Sequence, residues 1–566
     1  MDVDVNKSRA VVDTDQLGLK KRKLSVATIV FMIYCLCSGG AFGIEEMVAW
    51  TGPGLTLIML MVLPFVWGIP LGLVACELGS ARPQEGGYYK WVQEALGEFW
   101  GFQAGWWRTV SVYIDNTLYV ILAAGYISMV WDVGPVGLFL IKALIIFIFT
   151  YINLRGLGDI GVASTIFSIL VMVAFALVAI VGFLNWNQNP FIPITAHGEI
   201  MGFAGLGFSD WIYYIGTGIA IGMWMYSGYE SMSTVAGEVE NPQVIPKATL
   251  ISVPLIMATY ILPTLAGVAS IGQWDSWSTV GIDSVGYITV LSQFLHPGFA
   301  MFMVVIAVIS NISVYNTYIA SGSRGFFCLA EDHLAPPVMV KVDKKHGIPY
   351  ISVLSVAIVN LILCNFAFTV VVVIDVFLFV SAYVLIYISA IILRKKIPDS
   401  ERPFKIPGGY GFLCLVCIMP ILIAFLGFFI NGTDYFIGGM VGIVSGPVFY
   451  YIWKRKYGGL AKKSAEEFPV NKKTGLAVGD LYRMAIIFVW LGAMGTIASF
   501  FLPWFEGSWG NDYYYEVYGV EGLFDTFLFW IKIGTVIAFA AGVVLFLAAK
   551  KLEPKKTKQQ KERIAV

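Results

Sequence analysis

The stretch SGGAFG at residues 38–43, followed by Glu45, interrupts the first long apolar segment of the chain. A second apolar segment is interrupted by YSGYE at residues 226–230. Each segment is long enough to span a bilayer. Glycine weakens a helix there, and a carboxylate at the helix centre costs about 2.5–3.5 kcal/mol. Interruptions at corresponding positions of two halves are typical of the substrate site of an inverted-repeat transporter.

The composition predicts a protein with many membrane spans. Of the 566 residues, 58% are hydrophobic and 13% are charged, whereas soluble domains carry about 25% charged residues. The formal net charge is zero, so the chain as a whole shows no sign of binding nucleic acid. Basic residues at 20–23 precede the first apolar segment and no small-residue cleavage site follows soon after it, so we expect this segment to be retained.

Apolar segments of suitable length predict about fourteen membrane helices. The predicted spans are 25–50, 54–78, 100–130, 136–155, 160–184, 211–237, 248–272, 298–329, 349–368, 370–393, 410–430, 436–453, 481–504 and 525–549. Lys and Arg are concentrated on one side, and the opposite loops at 185–210, 273–297 and 505–524 contain neither. The positive-inside rule therefore predicts cytoplasmic termini for a multi-pass protein of the cell (plasma) membrane.

The same pattern predicts how the chain is organised. The predicted parts are a cytoplasmic tail (1–24), an inverted-repeat core of ten helices (25–394), helices 11 and 12 (395–455), a cytoplasmic linker (456–480), an extra transmembrane hairpin (481–549) and a basic cytoplasmic tail (550–566). The hairpin is expected to serve assembly or stability, although its aromatic and acidic outer loop leaves a role in the outer vestibule open.

Four motifs resemble those of the amino acid–polyamine–organocation (APC) transporter superfamily. They are SGGAFGIE at 38–45, ELGSARPQEGGYY at 77–89, AGEVENPQVIPK at 236–247 and ERPFKIPG at 401–408. The first motif, together with GFQAGW at 101–106 and IDNTLY at 114–119, is most similar to the polyamine and cationic amino acid branch. The resemblance implies an all-α membrane fold with a five-plus-five inverted-repeat (LeuT-like) core and discontinuous helices 1 and 6.

The two interruptions suggest how a substrate is held. The free N–H groups of a half-helix suit an anion, and exposed carbonyls at a helix C-terminus suit an ammonium group. The predicted substrate-binding residues are Ser38, Gly39, Gly40, Ala41, Glu45, Asp115, Trp224, Tyr226, Ser227, Gly228 and Glu230. An alternative is that the glycines serve close helix packing only.

Three acids within predicted spans allow two interpretations. Glu45, Asp115 and Glu230 could form a ladder across the membrane that suits an elongated cation. Asp115 could instead form a water-bridged structural pair with Arg108, which lies seven residues earlier on the same helix face, about 10 Å away. The resemblance also implies that an aromatic residue at the position of Trp224 closes over the bound substrate.

These observations predict a secondary active transporter of amino acids or polyamines, proton-coupled and working by alternating access. The substrate is a small amine, the coupling ion is H⁺, the surroundings are a lipid bilayer, and no enzyme activity, cofactor or metal is expected. An exchanger of substrate and product amino acids is the first alternative, and an amine-gated channel or sensor is the second. Span 160–184 lacks the lysine that some proton-coupled relatives carry, so the family resemblance does not by itself establish H⁺ as the coupling ion, and the sequence leaves the oligomeric state open.

Overall fold

A computed structural model describes residues 25–84, 86–155, 160–196, 208–231, 241, 243–279, 284–343, 345, 347–507 and 509–552. Within these ranges the chain is nearly all helical, and its β pairing is limited to the isolated bridges Trp277–Val285 and Val470–Ala477. Eleven described helices are long and apolar enough to cross a membrane, and three shorter apolar helices accompany them. The predicted all-α polytopic fold is therefore confirmed.

The described residues form two compact units, of which the first covers residues up to 328 and 337–431. Its helices are α1 (Val26–Cys37), α2 (Ile44–Thr51), α3 (Pro53–Ala81), α4 (Gly87–Leu96), α5 (Glu98–Ser128), α6 (Gly134–Asn153), α7 (Ile160–Leu184), α8 (Phe208–Met225), α9 (Val244–Ile271), α10 (Tyr287–Phe294), α11 (Gly298–Glu331), α12 (Tyr350–Leu363), α13 (Phe368–Lys396) and α14 (Gly409–Ile430). The last turn of α11 belongs to the second unit.

The second unit covers residues 329–336 and the chain from 432 onward. Its further helices are α15 (Thr433–Tyr457), α16 (Asp480–Glu506), α17 (Gly510–Tyr518) and α18 (Leu523–Leu552). The Thr433 N–H donates to Glu506 Oε1 at 3.0 Å, and the Tyr450 hydroxyl donates to Asp480 Oδ2 at 2.6 Å. The twelfth predicted span, α15, thus packs with the terminal hairpin.

The first interruption is present where the glycines predict it. The α1 helix begins after Ser25, whose side chain accepts a hydrogen bond from Thr28 N–H at 3.1 Å, and it ends at Cys37. Gly40 and Gly43 have φ of 91° and 96°, a region that other residues rarely adopt. The chain can therefore turn between α1 and α2 without leaving the apolar segment.

The second interruption follows Met225, the last residue of α8. The Ser227 hydroxyl turns back and donates to the Met223 carbonyl at 2.6 Å, and Gly228 has φ of 101°. The Trp67 indole N–H, from a π-helical turn of α3, lies 3.0 Å from Ser227 Oγ. These contacts stabilise the non-helical backbone that follows the end of α8. The predicted continuation of this helix through 232–240 lies outside the described residues.

Two of the sequence motifs meet on the Lys- and Arg-rich side of the first unit. Glu77 is buried near the end of α3 and accepts hydrogen bonds from Arg394 and Arg402, each at 2.6 Å. Its Oε2 also accepts the Ile406 N–H at 2.9 Å. The network connects the 77–89 motif to the 401–408 motif, so these motifs support the architecture of this side of the unit.

Candidate substrate site

A small cavity lies between the ends of α1 and α8. The volume that the centre of a water molecule can occupy in it is about 10 Å³, so the cavity holds about one water. Its lining residues are Cys37, Gly39, Gly40, Phe42, Tyr119, Trp224, Met225, Tyr260 and Asn311. The site is closed in this conformation, so a substrate larger than water requires the aromatic side chains to move.

One tyrosine contacts both interruptions. The Tyr260 hydroxyl lies 2.8 Å from the carbonyl of Cys37 at the end of α1 and 3.1 Å from the carbonyl of Met225 at the end of α8. Both carbonyls are groups that a continuous helix would have paired internally. The α9 helix thus holds together the two helix ends that the sequence predicts to face the substrate.

The glycines of the first interruption serve close packing as well as lining the cavity. The Ser310 hydroxyl donates to the Gly39 carbonyl. A Cβ atom on Gly40 would lie 2.2 Å from the Phe175 ring of α7 and 2.8 Å from Val171. The packing role that the sequence left as an alternative is therefore present beside the predicted one.

Glu45 occupies the N-terminal end of α2. Its carboxylate accepts the Gly43 N–H at 2.9 Å and the Tyr126 hydroxyl at 3.0 Å, and its side chain is buried. A helix N-terminus attracts an anion. Here the carboxyl group of Glu45 occupies the helix end at which the sequence predicts a substrate carboxylate.

Asp115 lies behind the aromatic wall of the cavity. Its Oδ1 accepts the Trp224 indole N–H at 2.7 Å, and the hydroxyls of Tyr119 and Tyr318 also form hydrogen bonds with its side chain. The rings of Tyr119 and Trp224 stand 5.8 Å apart. The acid is thus hydrogen-bonded to Trp224, a residue that lines the cavity.

Arg108 pairs with Glu230, and not with Asp115. Its Nε lies 2.8 Å from Glu230 Oε1, and both side chains are buried. The guanidinium also donates to Ser111 at 3.1 Å and to Ser231 at 3.3 Å. The turn after Gly228 brings Glu230 to the guanidinium, so the direct ion pair of Arg108 is with Glu230, and a water-bridged pair with Asp115 stays an alternative.

Sequence reasoning missed one further intramembrane acid. Asp375 on α13 is fully buried, and its Oδ1 accepts the Ser111 hydroxyl at 2.6 Å. It lies within the predicted span 370–393, in the apolar run VVVVIDVF at 370–377. The rule that selected Asp115, that an acid inside a span is a candidate functional residue, applies equally to Asp375.

The remaining predicted residues support the interruptions rather than line the cavity. Tyr226 is buried and donates its hydroxyl to the Leu60 carbonyl at 2.9 Å. Ser38 Oγ accepts the Gly40 N–H at 3.1 Å, and the Ala41 carbonyl accepts the Ile44 N–H at 3.2 Å. Of the predicted set, Gly39, Gly40 and Trp224 line the cavity. Substrate contact by every member of the set stays a prediction.

The sequence model for the amino acid permease family matches residues 24–453, which include both interruptions and the acids Glu45, Asp115, Glu230 and Asp375. The chain belongs to this family. Because the family match covers most of the chain and the described helices span a membrane by length and composition, the chain is a multi-pass integral membrane protein of a transporter family.

Several known transporters are similar in sequence to this chain. A probable polyamine transporter of Arabidopsis thaliana is 31% identical, over 71% of this chain and 78% of the relative. The polyamine transporter PUT1 of Oryza sativa subsp. japonica is 30% identical, over 70% of this chain and 72% of the relative. The serine/threonine exchanger SteT of Bacillus subtilis is 23% identical, over 78% of this chain and 99% of the relative.

A solved structure confirms the fold class. The crystal structure of MhsT in complex with L-phenylalanine aligns with a TM-score of 0.54, covering 75% of this permease and 100% of that chain. The sequences are 13% identical, so the likeness concerns the fold alone. The LeuT-like architecture with discontinuous first and sixth helices, which the family resemblance implies, is thereby confirmed.

Proposed function

We propose that this permease is a secondary active transporter of polyamines, which it moves by alternating access. The observation that carries the proposal is the position of Glu45, whose carboxylate accepts the Gly43 N–H at the start of α2. An amino acid substrate needs a place for its carboxylate, and this helix end is the one the fold offers. A polyamine has no carboxylate, so it can bind without displacing Glu45 from the Gly43 N–H.

The charges of the interior support a cationic substrate. The side chains of Asp115, Asp375 and Glu230 are buried with the single guanidinium of Arg108 in one electrostatically interacting cluster. If all are ionised, the cluster carries two negative charges in excess. Burying uncompensated charge is costly, so the cluster needs protons or a cationic ligand.

This requirement gives a physical route to proton coupling. In the absence of substrate, protons neutralise the excess carboxylates. A polyamine that supplies its own positive charge releases those protons, so the movements of substrate and protons are linked. The distribution of Lys and Arg supports an orientation with both termini in the cytoplasm, and the proposed location is the plasma membrane.

Trp224 is the proposed gate of the site. Its indole N–H occupies a hydrogen-bonding position on Asp115 Oδ1, and its ring lines the cavity. An ammonium group that reaches Asp115 takes the place of this neutral donor and can also contact the aromatic face. In this proposal the site opens when the Trp224 side chain moves away from Asp115 as the substrate binds, and it closes when the side chain returns.

The decisive experiment compares putrescine with ornithine, which has the same two amino groups and adds a carboxylate. Uptake of each labelled compound is measured in proteoliposomes at two proton gradients, with cadaverine and lysine as a second matched pair. We expect saturable uptake and counterflow of the diamines, with the amino acids at least about tenfold weaker. Equal or better uptake of ornithine would support an amino acid transporter, and flux without saturation or counterflow would indicate a channel.

A further inference from the structure

We propose that Asp375, together with Asp115, forms a two-carboxylate site for the second cationic group of the substrate, so that the permease selects diamines and longer polyamines over monoamines. This inference rests on the proposed polyamine transport and adds to it a residue that determines specificity. It concerns the region behind the aromatic wall formed by Tyr119 and Trp224.

The first argument is the incomplete hydrogen bonding of Asp375. Its side chain is fully buried, and Oδ1 accepts the Ser111 hydroxyl. The other oxygen, Oδ2, has no hydrogen-bond partner among the residues that the structure describes. A buried carboxylate oxygen without a donor costs free energy comparable to a lost charged hydrogen bond. Such an oxygen is placed to receive an N–H group from a ligand.

The second argument is the distribution of charge around Asp375. Ser111 joins Asp375 by hydrogen bonds to Arg108, which pairs with Glu230, and Asp115 lies one helical turn after Ser111 on α5. Arg108 is bound to Glu230 at 2.8 Å and to Ser111 at 3.1 Å. Across the described part of the chain, neither Asp115 nor Asp375 forms an ion pair. The two aspartates are therefore the members of the cluster that a ligand cation can neutralise.

The third argument is the position of Asp115 relative to the cavity. Its donors are neutral groups, the indole of Trp224 and the hydroxyls of Tyr119 and Tyr318. Trp224 and Tyr119 also line the cavity between the ends of α1 and α8. A linear diamine can place one ammonium group between the helix ends and pass its methylene chain along these two rings. The second ammonium group then reaches Asp115 and the open oxygen of Asp375.

Ser111 gives the site a defined geometry. Its hydroxyl donates to Asp375 and accepts from the Arg108 guanidinium, so one residue connects the ion pair to the aspartate. Ser111 lies four residues before Asp115 on α5, and residues at this spacing share a helix face. The arrangement fixes one oxygen of Asp375 and leaves the other available, as a ligand-binding carboxylate requires.

The test compares putrescine with n-butylamine, which has the same carbon chain and only one amino group. Binding of both is measured on the purified full-length permease in nanodiscs, for wild type, Asp375→Asn and Asp375→Glu. We expect Asp375→Asn to weaken putrescine binding about 10- to 100-fold and to change n-butylamine binding less than about twofold. Asp375→Glu, which keeps the charge, should recover part of the loss. Asp434→Asn, a matched removal of an acid in the second unit, should change neither.

The readouts separate this inference from the proposed function. Unchanged putrescine binding in Asp375→Asn, with wild type binding polyamines, would overturn the two-carboxylate site and leave polyamine transport standing. An equal loss of putrescine and n-butylamine, not recovered by Asp375→Glu, would assign Asp375 a structural role and would also overturn it. A folded wild-type protein that binds neither amine would overturn the proposed function and this inference together.

Discussion

Arg108 Nε lies 2.8 Å from Oε1 of Glu230, and this contact joins α5 to the interruption that follows α8. Both side chains are buried, so the ion pair is shielded from water. Glu230 lies two residues after Gly228, whose φ of 101° forms the turn that follows α8. The pair therefore stabilises one position of that turn.

A double-mutant cycle measures the strength of this pair. Arg108→Gln or Glu230→Gln alone should destabilise the protein by about 3–5 kcal/mol, because each leaves a buried charge without its partner. The double variant should recover a large part of that loss. The measurement is thermal unfolding in detergent, scored by retained monodispersity. Additive effects of the two substitutions would show that the guanidinium has another ionic partner.

The same cycle tests the sequence-based expectation that Glu230 contacts the substrate directly. If Glu230 acts only through Arg108, the double variant should bind putrescine within about threefold of wild type. Restored stability together with lost putrescine binding would instead place Glu230 in direct contact with the substrate. The comparison is informative because it separates stability from affinity in the same variants.

Glu45 should set the preference for substrates without a carboxylate. Glu45→Gln keeps an oxygen that can accept the Gly43 N–H and removes the charge that repels a substrate carboxylate. The putrescine-to-ornithine affinity ratio should therefore fall by at least about tenfold. Tyr126→Phe is the matched control, since it removes a neutral donor to Glu45 and keeps the charge. An unchanged ratio in Glu45→Gln would mean that the carboxylate of Glu45 does not exclude amino acids.

The parts of the site that the sequence predicts are those that break a local rule. Glycine in an apolar helix and an acid in a membrane span are both unfavourable, so 38–43, Glu45, Asp115 and Glu230 could be selected without any structure. Asp375 breaks the same rule but is far from any motif, and it was missed for that reason. The partner of Arg108 could not be predicted, because helix spacing favours Asp115 whereas the turn after Gly228 supplies Glu230.

The sequence predicts the positions of the helices but not the partners of the buried charged residues. The hydrophobic spans and the positions of the interruptions follow from local composition, and most helix ends differ from the predicted bounds by a few residues. The contacts of Glu77 with Arg394 and Arg402 join positions more than 300 residues apart. No local pattern specifies which buried acid meets which arginine, so this part required the structure.

Gly40 should not tolerate a side chain. Gly40→Ala would place a non-glycine residue at φ 91° and its Cβ at 2.2 Å from the Phe175 ring, and backbone strain alone costs roughly 1–3 kcal/mol. We expect a lower unfolding temperature and loss of putrescine uptake. Gly411→Ala is the control, because a Cβ there meets nothing within 4 Å. If Gly40→Ala with Phe175→Ala recovers wild-type stability, the ring clash dominates and the backbone strain is small.

Glu77 should be essential to the stability of the Lys- and Arg-rich side. Glu77→Gln leaves Arg394 and Arg402 buried beside a neutral amide, at an expected cost of about 3–5 kcal/mol. Glu94→Gln is a matched control, since Glu94 pairs with Arg82 at 2.9 Å but is partly exposed, and such pairs contribute about 0–1 kcal/mol. Thermal unfolding of both variants in detergent checks the difference. Equal stability of the two variants would show that the buried network contributes little.

The terminal hairpin should affect stability more than transport. All predicted substrate-binding residues precede residue 432, where the second unit resumes. A chain truncated after residue 475 loses Glu506 and Asp480, which accept hydrogen bonds from Thr433 and Tyr450 of α15. We expect this truncation to lower the yield and unfolding temperature while leaving the putrescine half-saturation concentration within about threefold of wild type. The truncated chain and wild type are compared by measuring saturable putrescine uptake in membrane vesicles, normalised to the amount of folded protein.

Two point substitutions in the full-length chain test the same prediction without removing the hairpin. Thr433→Val combined with Glu506→Gln removes the hydroxyl–carboxylate hydrogen bond between α15 and α16 and keeps every helix. Net loss of a charged hydrogen bond costs about 1.5–3 kcal/mol, so this variant should lose stability as the truncation does, but to a smaller extent. Its putrescine uptake should match wild type. If a well-folded truncation loses putrescine binding while this variant keeps it, the hairpin contributes directly to the substrate pathway, because loosening α15 alone would then not explain the loss.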